Sequence, residues 1–98
     1  MQIFTPYKEP YLCAMYLDTR RFNKQIVECM QIMKAINGVS QAWKNHPVVK
    51  QYTPYVDYVD NYAKCLLYYR QGDKDLALHF SNEATKHKPS FLTEEFCN

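Results

Sequence analysis

What the chain lacks narrows it first. Its four cysteines, Cys13, Cys29, Cys65 and Cys97, form no C-x-x-C pair, and zinc and iron–sulfur sites are built on short paired spacings, so no metal centre is expected. Glycine occurs only twice, and no glycine-rich phosphate loop is present. With no metal-ligand box and no serine nucleophile motif either, kinase, NTPase and the familiar hydrolase chemistries are disfavoured. No apolar run approaches the length of a membrane span, and the opening MQIFTPYKEP has neither a basic start nor an apolar stretch. Neither export nor membrane insertion is expected, and the chain is expected in the cytoplasm. Excess charge is missing too: 12 Lys and Arg face 10 Asp and Glu, a formal +2, with a pI of about 8.3. Nucleic-acid-binding domains usually exceed a pI of about 9, so only local clustering of cations could support that role here.

What is present suits one helical domain. Ninety-eight residues, 47% of them hydrophobic, make a single unit over 1–98 with a modest core. No strand pair, internal repeat or low-complexity segment is visible. Met1 to Tyr7 reads as extended, with Ile3 and Phe4 laid onto the core. Glu9 and Pro10 open a short helix with Leu12, Met15 and Tyr16 on its apolar side. The most regular stretch runs from Leu17 to Gly38. Asp18 is an acceptor placed before a helical pattern, Gly38 falls where a left-handed cap belongs, and Phe22, Ile26, Cys29, Met33 and Ile36 line one face between them. Asn45 or His46 caps a turn begun by Pro47, and Pro54 forces a break. A second long helix follows over Tyr55 to Arg70, closed by Gly72. Asp73 opens another to about Lys86, and Pro89 ends it. The expected fold is all-α and compact, three main helices with short accessory turns.

Candidate functional residues concentrate on the first long helix. Arg21, Lys24, Gln25 and Glu28 recur at i, i+3, i+4 and i+7, so a carboxylate stands among cations and an amide. Such an acid can stabilise a developing positive charge; the ordinary alternative is a Lys24–Glu28 ion pair on a solvated face. Arg20, Arg21 and Lys24, joined by Lys44 and Lys50, could contact phosphates; as bare sequence, a solvated cationic face is the commoner case. His46, beside Pro47 and near Trp43, could bond a ligand or base, or cap a turn. Among the nine tyrosines, Tyr55, Tyr62 and Tyr69 keep helical spacing and read as core, leaving Tyr58 and Tyr68 as surface candidates for stacking on bases. Cys29 and Cys65 lie on apolar faces, where a free thiol acts as a small hydrophobe.

The set Leu17, Asp18, Arg21, Lys24, Gln25, Glu28, Gln31 and Ile32, followed by Trp43 and by Asn45-His46-Pro47, resembles the pyrimidine-dimer DNA glycosylase family. The opening MQIFTPY and the segment KPSFLTEEF are similar to a small bacterial and phage branch of it. The resemblance implies a repair-type all-α fold that binds bent duplex DNA and needs no cofactor. It also implies that the N-terminal α-amine attacks C1′ of a damaged nucleotide to give a Schiff base, while a helix glutamate stabilises the charged sugar. In the family eleven residues separate that glutamate from a leucine at the start of its helix, and Leu17 to Glu28 repeats the spacing. Gln2 is a large residue beside which the initiator is retained, so the nucleophile would be the Met1 amine. Its ordinary pKa of about 7.7 to 8.0 leaves a useful neutral fraction near neutral pH.

The resemblance implies a double-stranded-DNA-binding glycosylase/AP lyase. Met1 is its expected nucleophile and Glu28 its electrostatic and acid/base partner. Arg20, Arg21 and Lys24 are expected on phosphates, with Gln25 and Lys50 also facing DNA and His46 near the damaged or opposite base. The alternative is a non-catalytic helical module, such as a phage protein binding DNA or a host protein through the same scaffold.

Overall fold

Side-chain caps and glycines punctuate the chain where the pattern places them. In the computed structural model, which describes residues 9–38 and 46–89, the Asp18 carboxylate accepts from the Arg21 N–H at 3.2 Å and the Asp73 carboxylate from the Leu76 N–H at 3.2 Å. Each satisfies a backbone donor that a helix start leaves open, an interaction worth about 1 kcal/mol. Pro10 and Pro47 occupy first turns, where a missing N–H costs nothing. Gly72 adopts φ 90°; its N–H reaches the Tyr69 carbonyl at 3.1 Å, and the Asp73 N–H reaches Tyr68 at 2.9 Å. That paired closure needs a left-handed residue, which glycine supplies without a Cβ clash.

The elements so bounded are α1 (Pro10–Tyr16), α2 (Thr19–Ile36), α3 (Pro47–Tyr52), α4 (Val56–Gln71) and α5 (Lys74–Lys86), with a 3-10 turn at Thr53–Tyr55. No strand occurs among the described residues. All-α holds, but the expected count of three main helices with accessory turns does not: α1 and α3 are regular helices of 7 and 6 residues. The short helix expected from Pro10 is α1, whereas the turn expected from Pro47 is a helix, its proline compatible with a first helical turn. Pro54 falls in the 3-10 turn that separates α3 from α4. The extended start, the surroundings of Trp43 and the segment after Pro89 lie outside the described residues.

Helix α4 is the spine, packed against α1, α2 and α5. Its Val59, Tyr62 and Leu66 are fully buried with Cys13 of α1, Phe22, Ile26, Cys29 and Ile32 of α2 and Ala84 of α5. Each large aliphatic side chain taken out of water there contributes about 1.5–3 kcal/mol. Helix α5 meets the others through a stripe of small residues, Ala77, Ser81 and Ala84, and the Ser81 hydroxyl accepts from the Tyr11 N–H at 2.9 Å, tying α5 to α1. Leu76 is exposed, and Phe80 is half-buried.

One aromatic assignment changes. Tyr58, expected at the surface as a stacking candidate, is only 1% exposed, held between Tyr52, whose ring stacks at 6.5 Å, and Tyr62, edge-on at 5.8 Å. Tyr68 is half-buried, with Phe80 stacked on it at 5.4 Å. The cysteines behave as small hydrophobes: Cys13, Cys29 and Cys65 are buried thiols. Burial pushes the Cys65 thiol up to about 12 and raises Cys29 further, the Glu28 charge adding to the effect of burial. Among the described residues, no group of His, Cys, Asp or Glu is placed to hold a metal ion, and no helix is long and apolar enough to cross a membrane.

Candidate nucleic-acid interface

The first turns of α2 carry the site. With Asp18 spent on the backbone of Arg21, the helix starts without an acidic group in its first turn, and Arg20, Arg21 and Lys24 are all exposed. Arg20 and Lys24 are one turn apart, as are Arg21 and Lys24, so the three ammonium and guanidinium groups share one side of the cylinder. With Asp18 they line a concavity of about 350 Å³. Ion pairs between described residues occur elsewhere, at Asp60–Lys64 and Glu83–Lys86. The alternative local pair between Lys24 and Glu28 is not formed, and among the described residues no carboxylate makes an ion pair with Arg20, Arg21 or Lys24, although Asp18 lines the same concavity.

Glu28 lies one turn beyond Lys24 and is half-buried. Seven positions return a side chain to nearly the same side of a helix, so Glu28 stands in line with Arg21 on one side and the buried Ala35 on the other. It is therefore at the border between the cationic wall and the core. Its charge lies close enough to Cys29 to raise that thiol. An acid in that position sits in a less polar medium than water and acts at short range on any cation formed beside the wall.

Gln25 is a correction. Expected with Arg21, Lys24 and Glu28 on the outward line, it is 1% exposed, because position 25 shares its side of α2 with Ile32, seven residues on, and Ile36, eleven on. A side chain so enclosed is not presented to DNA from this surface. His46 spends its Nδ1 on the start of α3, accepting from the Val48 N–H at 3.1 Å, which is the capping role. Lys50 is exposed in the last turn of α3, and α3 packs against α2. Met1 lies outside the described residues.

A cation that the sequence reading did not single out completes the region. Arg70, in the last turn of α4, reaches across to α2, its Nη1 donating to the Asn23 Oδ1 at 3.4 Å. The two residues border a second concavity of about 410 Å³, walled by Met15, Leu17, Thr19 and Tyr69. A signal for it exists in the sequence: Val59, Ala63, Leu66 and Arg70 follow i, i+4, i+7 and i+11. An arginine that continues a buried stripe at a helix end must project past the edge of the core.

Against known families, the model described as pyrimidine dimer DNA glycosylase matches residues 1–69 of this chain. That span takes in α1, α2, α3 and all of α4 but its last two residues. No curated protein and no solved structure matches.

Proposed function

Since the chain belongs to the pyrimidine dimer DNA glycosylase family, we propose that it binds double-stranded DNA through the start of α2 and acts there as a glycosylase/AP lyase. The observation that carries the reading is the wall itself. Arg20, Arg21 and Lys24 crowd like charge into two turns, while the half-buried Glu28 follows within a turn. Like charges at i, i+4 destabilise a helix by about 0.2–0.5 kcal/mol. A polyanion laid against the wall reverses that cost, and phosphate contacts release counterions besides. Flipping a damaged nucleotide out of the duplex costs a few kcal/mol, less than for an intact pair, so lesion selectivity does not require elaborate base reading.

In this reading the neutral Met1 amine attacks C1′. The N–C1′ bond forms as the bond to the base breaks, the base leaves with that electron pair and gains a proton, and opening of the sugar ring leaves a protonated imine. Glu28 stabilises this cation and assists the proton loss at C2′ that expels the 3′ phosphate, a role that rests on the family. Water then hydrolyses the imine and frees the amine. The role of Met1 rests on the family and on the chemistry of the amine.

Borohydride trapping on a duplex carrying an abasic site or a thymine dimer tests this directly. A covalent adduct is expected, reduced by about 10² or more in Glu28→Gln and abolished when the N-terminal amine is acetylated. Absence of any adduct between about pH 6 and 8, around the amine pKa, sinks the catalytic reading. A second reading, a non-catalytic helical module, draws on the apolar groove of about 330 Å³ between α2 and α4, lined by Met30, Met33, Ala63 and Leu67. Duplex binding without an adduct is its signature.

A further inference from the structure

The cations of α2 account for one side of the site. Arg70 stands on the other, and nothing in the catalytic reading uses it. It belongs to α4, where Lys64 is paired within the helix with Asp60. Arg70 has no carboxylate partner among the described residues. It is exposed, and its guanidinium is steered by a neutral amide, the Asn23 Oδ1 at 3.4 Å. An amide orients a guanidinium without cancelling its charge, and leaves its remaining N–H donors for a second acceptor.

The placement is specific. Asn23 lies between Arg20 and Lys24 in sequence, so Arg70 arrives beside the wall from a different helix, at the mouth of the 410 Å³ concavity. That concavity presents Met15, Leu17 and Tyr69 next to Thr19, Asn23 and Arg70, apolar surface beside hydrogen-bonding groups. A sugar-phosphate backbone has the same composition, a deoxyribose edge beside an anionic oxygen pair. Of the carboxylates near the wall, Asp18 accepts from the Arg21 N–H, and Glu28 lies one turn beyond Lys24, half-buried.

We propose that Arg70, held by Asn23 across the α2–α4 seam, seats a DNA backbone phosphate and so extends the interface from α2 onto α1 and α4. This rests on the DNA-binding reading above, and it adds a contact that the α2 wall alone does not contain. The guanidinium donates to two oxygens of one phosphate, and the apolar wall lies along the adjoining sugar.

The test is duplex binding by the full chain, measured by fluorescence anisotropy over a salt series with a duplex of about 20 base pairs. Arg70→Gln is expected to lower the slope of log K against log salt by about 0.9, one phosphate contact, with affinity at about 0.1 M salt falling roughly five- to tenfold. Asn23→Ala keeps the charge and loses its placement, so a smaller loss with a nearly unchanged slope is expected. Lys86→Gln is the control; Lys86 lies at the opposite end of α5, near Pro54 and Asp57, and already pairs with Glu83. A wild-type slope in Arg70→Gln, with wild-type binding still falling with salt, overturns the role of Arg70 and leaves the DNA-binding reading standing. Binding by the wild type that ignores salt, or no binding at all, overturns both. Circular dichroism of each variant confirms that the exposed substitution leaves the helices intact.

Discussion

Two surfaces of this molecule treat charge in opposite ways. On α4 and α5 two lysines pair with acids one turn away, Asp60 with Lys64 at 3.0 Å and Glu83 with Lys86 at 3.1 Å. Beside Lys86 the Glu83 carboxyl is held below its usual range. On the first turns of α2 three cations share a side, the nearest acid caps a backbone N–H, and Glu28 does not pair with Lys24. Formal net charge is only +2, so the contrast is one of arrangement. Pairing within a helix hides charge at short range, whereas crowding like charge keeps a field available to an outside partner. Weak net charge is therefore compatible with a nucleic-acid surface when one helix keeps its cations unneutralised.

The comparison breaks most visibly on DNA. Changing Arg20, Arg21 and Lys24 together to Gln is expected to cost about 10²–10³ in duplex affinity at 0.1 M salt, and to flatten the salt slope by about 2.7, three contacts at 0.9 each. Changing Lys64, Lys74 and Lys86 together to Gln alters net charge by the same amount and is expected to cost less than about threefold, because those phosphate contacts are absent. Equal losses from the two triple variants, read by anisotropy, would show that total charge and not placement governs binding.

Both surfaces ride on one interior, which supplies the next largest effect. The thiols of Cys29 and Cys65 are held protonated by burial, with pKa values raised above those of the unfolded chain. For an acid whose folded pKa is raised, the folded state holds the proton longer, so the stability it contributes is complete below the unfolded pKa and is lost as pH rises above it. From about pH 9 upward, unfolding free energy in urea should fall by about 1.4 kcal/mol per pH unit for each buried thiol. Cys→Ala at position 65 should shallow that decline, and an unchanged alkaline slope would contradict the burial of this thiol. The smallest effect is the most diagnostic of the comparison. Lys24→Gln should raise helix stability by about 0.2–0.5 kcal/mol while weakening DNA binding, whereas Asp60→Asn should lower stability by a similar amount and leave DNA binding alone. Thermal melts paired with anisotropy read both signs.

Helix boundaries were legible in the sequence because they are set within three or four residues. Asp18, Asp73, Pro10, Pro47, Gly38 and Gly72 act on the backbone beside them, and each of the helices α1 to α5 begins or ends where one of those residues stands. The positions of Arg20, Arg21, Lys24 and Glu28 on one helix follow from the same local rule. What the tertiary fold alone decided was which side of each helix turns inward. Gln25 and Tyr58 carry polar groups that look fit for a surface, yet α2 and α4 are rotated so that both face neighbours. The same rotation brings Arg70 to Asn23, residues 47 apart. Local chemistry depends on what lies one turn away, but burial depends on the azimuth at which another helix packs, and that is settled by the sum of all the contacts at once.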